Sequence, residues 1–185
     1  MSDLSDQSDQ SDQSGLSDVS DLGASGASDF DTARFRQVLG HFCTGVVIIA
    51  GSHDGEPVGL TVQSFTSLSL EPPLVSFAVG RTSSTWPRLR DAGTFSVNIL
   101  AEDQEALCRT FATSGADKFA GVGWRPGASG APLLDDVLAW LECRIDIEHD
   151  AGDHILVIGR VTGLDVGREG KPLLFYRGGF GRFEL

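Results

Sequence analysis

The chain has 185 residues, enough for one domain with a substantial core, since single domains commonly run roughly 100 to 200 residues. Its formal net charge of −12 is unevenly placed: residues 1–29 hold seven aspartates and no lysine, arginine or glutamate, leaving 19 acidic against 14 basic residues in the remainder. That balance, without clustered Lys or Arg, excludes a nucleic-acid partner, and three scattered cysteines with no Cys-x-x-Cys pair point to neither a disulfide framework nor a zinc site.

The chain opens on a Ser-Asp-Gln triplet repeat from Ser5 to Ser14, followed by Gly23-Ala24-Ser25-Gly26-Ala27-Ser28. So little apolar surface does not offset the entropy of ordering, so residues 1–29 are expected to form a disordered acidic tail, with an acidic docking arm as the alternative. The N-terminus lacks the basic start and apolar centre of a secretory signal. The longest purely apolar run, Val46 to Ala50, is far short of the roughly 20 residues that span a bilayer. A soluble cytoplasmic protein with no membrane partner is expected, its one domain covering residues 30–185.

Order is predicted to begin at Asp29 to Asp31, an N-cap cluster before Phe35, Val38, Leu39 and Phe42 at helical spacing. Apolar β-type segments follow: Val46 to Ala50, Val58 to Leu68, Leu74 to Val79, Thr94 to Leu100, Leu138 to Glu148, Ile155 to Val161 and Leu173 to Tyr176. Phe95/Val97/Ile99 and Ala139/Leu141/Cys143/Ile145/Ile147 alternate strictly, the pattern of antiparallel strands with one buried face. Asp54-Gly55 is a turn signal that folds the second segment back on the first. Helices are predicted only at Thr85 to Arg90 and Asp103 to Ala112 besides the first. The fold class is therefore mainly β, a barrel with a few peripheral helices. No strand, Gly-x-Gly-x-x-Gly turn and helix occur together, and Gly179-Phe180-Gly181 fails the pattern at Glu184, which excludes a classical dinucleotide fold.

Four clusters are candidates for chemistry. Pro57 to Ser69 carries Thr61, Gln63, Ser64, Thr66, Ser67 and Ser69 among β-formers, more short polar groups than a strand needs. They suit the edge of a flavin ring, and a polar-faced edge strand fits the pattern equally. Thr82-Ser83-Ser84-Thr85, beside Arg81 and before Pro87, exceeds the one hydroxyl a helix cap requires and suits a phosphate. Lys118, near Thr110-Phe111, would either neutralise a phosphate or be solvated at the surface. Gly152-Asp153-His154 before a strand, with Phe175-Tyr176-Arg177-Gly178 near the end, suits a nicotinamide nucleotide, although a lone His often has a structural role. No Ser/His/Asp or Cys/His order supports nucleophilic catalysis.

In this order the clusters resemble the short-chain flavin reductases, the reductase components of two-component flavin-dependent monooxygenases, which have the FMN-binding split-barrel fold. The likeness runs from about Phe35 to Phe180. It rests on Phe42-Cys43-Thr44-Gly45-Val46, Pro57 to Phe65, Ser69-Leu70-Glu71-Pro72-Pro73-Leu74, Phe95 to Leu100, Lys118-Phe119, Gly152-Asp153-His154 and Pro172 to Gly178. It is strongest toward reductases serving hydroxylases of phenols and steroid-derived catechols. It implies a six-stranded antiparallel Greek-key barrel, a homodimer with flavin near the subunit interface, and reduction of FMN or FAD by NAD(P)H. Reduced flavin would then diffuse to a partner flavin-dependent oxygenase. By the same resemblance Pro57, Val58, Gly59, Leu60, Thr61, Gln63, Ser64, Ala78, Val79 and Gly80 meet the flavin ring and ribityl chain. Ser84, Thr85, Thr110, Phe111 and Lys118 hold its phosphate end, and His154 with Phe175, Tyr176, Arg177 and Gly178 takes the nicotinamide nucleotide, His154 as the catalytic residue. With no evident Arg pair for a 2′-phosphate, NADH is favoured over NADPH. The competing readings are a non-catalytic flavin-binding or electron-carrying module on the same barrel, and a pyridoxamine-phosphate oxidase relative, which would need a more basic phosphate cradle.

Overall fold

In the apolar run Val46 to Ala50, alternate residues leave the strand on opposite sides. Val47 and Ile49 enter one buried cluster, Val46, Ile48 and Ala50 another, so the run is apolar throughout because both faces are covered. The computed structural model describes residues 30–115 and 117–184, and the predicted tail, 1–29, lies outside the described residues.

Helix α1, Thr32–Leu39, is capped by Asp31, whose Oδ1 accepts from Arg34 N at 2.6 Å. Strands β1 (Thr44–Gly45), β2 (Val47–His53), β3 (Glu56–Val62), β4 (Thr66–Leu70) and β5 (Pro73–Gly80) follow, then α2 (Trp86–Ala92) and β6 (Thr94–Ile99). A 3₁₀ turn, Glu102–Gln104, leads into α3 (Glu105–Ala112). The remainder is β7 (Trp124–Pro126), β8 (Pro132–Leu134), β9 (Ala139–Ala151), β10 (His154–Val166), β11 (Leu174–Tyr176) and β12 (Gly179–Gly181). The short β1, β7, β8 and β12 carry too few residues for a readable alternation, and the sequence pattern missed them.

Seven strands make one antiparallel sheet in the order β3-β2-β6-β9-β10-β5-β4; β1, β11 and β12 form a second, small sheet and β7 pairs with β8. Although β3 and β5 stand far apart in that order, Val58 and Val62 of β3 share a buried cluster with Val75, Phe77 and Val79 of β5. The sheet is thus rolled around this cluster as a barrel. Phe77 fills its centre, edge-on to Phe95 at 5.4 Å and to Trp86 at 5.6 Å between ring centroids. The second cluster lies outside β2, where Phe111 of α3 and Phe119 meet edge-on at 4.9 Å.

Two elements differ from the sequence expectation. The single strand predicted over Val58 to Leu68 is two, β3 and β4, and the main sheet therefore has seven strands where six were expected. Between them Ser64 uses its side chain in place of a ladder: Oγ accepts from Ala78 N at 2.8 Å and donates to Ala78 O at 3.1 Å. The chain crosses there from one edge of the sheet to the other, and no continuous strand can serve both edges. The second difference is length. β9 and β10 pair from Ala151↔His154 to Ala139↔Val166, well past the apolar segments that announced them, because their polar ends are held by each other's backbone.

Candidate functional site

The β2–β3 hairpin turns at Asp54 and Gly55, both at positive φ (53° and 81°), and sets the start of β3 beside the start of α2. Between them is a cavity of about 390 Å³. Pro57, Val58 and Gly59 form one wall and Ser84, Thr85 and Lys118 line the rest, so six of the predicted residues, from three distant stretches of chain, surround one space. Asp117, which precedes Lys118 in the third candidate cluster, also lines it, as do Arg88 and Glu56, which were not singled out from sequence. Arg88 had a readable signal: it follows Thr85, the N-cap of α2, by three residues, which brings it back one turn to the same side of the helix start.

Burial pulls the Lys118 ammonium below the ordinary lysine value, and its Nζ donates to Gly59 O at 3.1 Å and Phe111 O at 2.9 Å. A lysine, an arginine and two hydroxyls around one cavity are a donor set suited to an anionic group such as a phosphate. The residues present therefore fit the phosphate end of a flavin. Ser83, the remaining serine of the hydroxyl run, caps α2 by accepting from Trp86 N at 3.1 Å.

Other predicted residues stand elsewhere. Gln63 and Ser64 line a second, more apolar cavity of about 630 Å³ together with Phe42 and Thr44, at the far end of β3. The Thr44 hydroxyl is buried there with no hydrogen-bond partner among the described residues. Leu60 packs against the barrel core, and Thr61 donates its hydroxyl to Cys108 O at 2.8 Å, fastening β3 to α3. Val79 is buried in the barrel, Ala78 is bonded to Ser64 through its backbone, and Gly80 pairs with His154. Thr110 turns its hydroxyl onto Ala106 O of its own helix at 3.1 Å, and the Phe111 ring is buried against Gly59 and Phe119.

His154 opens β10 at the β9–β10 turn, half exposed, with Nδ1 2.7 Å from Asp153 Oδ1. The hydrogen bond and charge of His154 hold the Asp153 carboxyl below its ordinary range. The ring's Nε2 faces Gly80, 4.0 Å from where a Cβ on that glycine would stand. Arg81, just after Gly80, laces this turn to the barrel rim: its backbone N donates to Asp153 O at 3.0 Å, Nε to Gly152 O at 2.8 Å, and Nη2 lies 2.6 Å from Asp150. Phe175 and Tyr176 lie in β11 of the small sheet, and Arg177 and Gly178 make its turn at positive φ (50° and 82°). Arg177 N donates to Gly40 O at 2.9 Å, and Tyr176 stands edge-on to His41 at 6.3 Å. No group of three or more metal-ligating side chains occurs among the described residues, and none of their helices is long and apolar enough to cross a membrane.

The family model for the flavin reductase like domain matches residues 39–184. The chain is similar to the reductase subunit HsaB of a flavin-dependent monooxygenase from Rhodococcus jostii (strain RHA1), 50% identical over 148 residues that span 80% of this chain and 76% of that protein. Among solved structures, nitrilotriacetate monooxygenase component B from Mycobacterium thermoresistibile superposes with a TM-score of 0.80 at 47% identity, covering 82% of this chain and 86% of that one. The NADH:FAD oxidoreductase SgcE6 of Streptomyces globisporus, solved with NAD and FAD fragments, gives 0.79 at 39% identity, covering 83% and 93%.

Proposed function

Since this chain belongs to the flavin reductase like domain family, we propose that its domain, residues 30–185, is an NAD(P)H-dependent flavin reductase that supplies reduced flavin to a partner oxygenase. The observation that supports this most is the continuity of β5 with the turn after it. Gly80 lies opposite His154, and four residues further on Ser84 lines the cavity that also holds Thr85, Arg88 and Lys118. Acceptor and donor regions are thus built on one short stretch of backbone. SgcE6, with its NAD and FAD fragments, favours NADH as donor and FAD as acceptor, with FMN the smaller alternative.

Lys118 and Arg88 neutralise the phosphate end of the flavin, and Ser84 and Thr85 donate hydroxyl hydrogen bonds to it. Pro57 to Gly59 give the cavity a rigid wall; the Gly59 carbonyl, by accepting from Lys118, fixes where that charge sits. A bound flavin supplies the acceptor for a hydride from the nicotinamide nucleotide, so no protein nucleophile is required. His154, its Nδ1 engaged with Asp153, presents Nε2 to orient the donor over Gly80. The protein's work is to hold two partners in contact and keep water out.

We also place the active form as a homodimer. Leu68 and Leu70 on the edge strand β4 and Leu164 and Val166 at the end of β10 are exposed at 51%, 94%, 66% and 71%, and the registers Leu70↔Pro73 and Leu74↔Arg160 bring these strand ends to one side of the barrel. The test of function is anaerobic mixing of the protein with NADH or NADPH and with FMN or FAD, following loss of the oxidised flavin's visible absorption. Bleaching fastest with NADH is expected. Flavin binding without bleaching by either donor would assign the chain as a carrier, and no bleaching in any combination would reject the reductase.

A further inference from the structure

Strict alternation along β9 predicts Ile147 on the buried face with Leu141, Cys143 and Ile145, yet Ile147 is 45% exposed. The register explains it. Ile145 stands opposite Gly159 and Ile147 opposite Ile158, so Asp146 is an extra residue, a bulge, and the alternation reverses after it. Glu148 is thereby paired with Val157, a fully buried member of the barrel cluster, and its side chain leaves the strand on the same side as Val157, toward the barrel interior.

There Glu148 meets α2. Its Oε1 accepts from Trp86 Nε1 at 2.9 Å, and its Oε2 lies 3.6 Å from Arg90 Nη1. Trp86 is the first residue of α2, only 2% exposed and edge-on to Phe77, so this bond satisfies the one polar atom of a core ring and ties that ring to β9. The acceptor is a carboxylate, which makes the bond stronger than one between neutral groups. Asp150, two residues further on and on the same face, holds Arg81 at 2.6 Å. The stretch from Arg81 to Arg90 is therefore fastened to the end of β9 at both of its ends. Within it lie the residues that α2 gives to the cavity of about 390 Å³: Ser84 and Thr85 immediately before Trp86, and Arg88 two residues after it. Ser83 spends its hydroxyl on the Trp86 amide, whereas the side chains of Ser84, Thr85 and Arg88 make no hydrogen bond among the described residues. None of the three is fastened by itself; the buried indole in their midst is.

We propose that Glu148 is a positioning residue of the flavin site: through the Trp86 indole it sets the first turn of α2, and with it the hydroxyls of Ser84 and Thr85 and the guanidinium of Arg88, against the flavin phosphate. The role rests on the reductase reading of the cavity. The bulge at Asp146 is the device that makes it possible. Without the extra residue Glu148 would leave the strand on the outer face, and Trp86 would keep a buried N–H with no acceptor.

FMN carries the phosphate and riboflavin lacks it, so the affinities of the full-length protein for the two, each followed by flavin fluorescence quenching, isolate the contacts made by α2. The parent should bind FMN more tightly than riboflavin. Glu148→Ala should weaken FMN about tenfold and riboflavin less than about twofold, because only the groups that meet the phosphate are misplaced. Glu148→Gln, whose amide oxygen still accepts from the indole, should stay within about threefold of the parent for FMN. Glu148→Asp keeps the charge without the reach; it should lose FMN as the alanine variant does, and it serves in that variant's place if alanine prevents folding. Unchanged FMN affinity in Glu148→Ala and Glu148→Asp, an equal loss of riboflavin, or a glutamine variant as weak as alanine would overturn the role of Glu148 while leaving the reductase reading standing. A parent that neither binds nor reduces flavin would remove both.

Discussion

His154 has one ring nitrogen engaged and one turned toward Gly80. With Nδ1 2.7 Å from Asp153 Oδ1, Nε2 is the nitrogen that, on the proposed function, would meet the donor above Gly80. Replacing it by alanine should therefore raise the KM for the nicotinamide nucleotide about tenfold and leave the flavin KM within about twofold, in steady-state flavin reduction. Equal rises would remove His154 from the donor site. Lys118 gives a pH dependence of definite sign. Its folded pKa is lowered by burial, so between that value and the ordinary lysine value the unfolded chain binds the extra proton and stability rises with pH. The same deprotonation removes a positive charge from the cavity. Flavin affinity, followed by fluorescence quenching from about pH 7 to about pH 10, should fall in the parent as Lys118 loses its proton, and this fall should be absent in Lys118→Met.

At the scale of elements, the wall of the cavity depends on how closely α3 packs onto β3. A Cβ on Gly59 would meet Phe111 Cε1 at 2.7 Å and Ile49 O at 3.1 Å, so the helix approaches because the strand has no side chain there. Gly59→Ala should destabilise the fold by about 1–3 kcal/mol in urea unfolding, the usual range for overpacking, and weaken flavin binding as Phe111 moves. A neutral result would mean that the ring is free to rotate away. A second fastening lies on β9. Burial alone would raise the Glu142 carboxyl, but the hydroxyl and amide of Ser129 at 2.6 and 2.8 Å, the Ala128 amide at 3.1 Å and the charge of Arg125 together hold it below its ordinary value. A depressed carboxylate stabilises the fold above its unfolded pKa, and that contribution is lost as pH falls through the folded value. Glu142→Gln, which leaves a donor of the 127–130 turn unsatisfied, should lose about 1–3 kcal/mol at neutral pH in urea melts. The deficit should shrink on acidification; a constant deficit would show that the charge is not the cause.

At the scale of the whole molecule, the exposed leucines of β4 and β10 bear on assembly. Leu70→Glu should shift sedimentation from dimer to monomer at micromolar protein, since a charge desolvated at an apolar contact costs several kcal/mol. An unchanged dimer would put the interface on another face. The sequence by itself determined the mainly β class, because period-two alternation in Phe95/Val97/Ile99 and in Ala139 to Ile147 is a local property. It also determined the family, because the hydroxyl-rich, Gly-Asp-His and terminal Tyr-Arg-Gly stretches occur in a recognisable order. Only the tertiary structure decided which members of those stretches share a space. Thr61, Thr110 and Ser83 look like Ser84 and Thr85 in one dimension, yet the first three spend their hydroxyls on Cys108, on Ala106 and on the amide of Trp86. A hydroxyl's partner is set by the backbone groups that folding brings near it, and those come from distant positions in the chain.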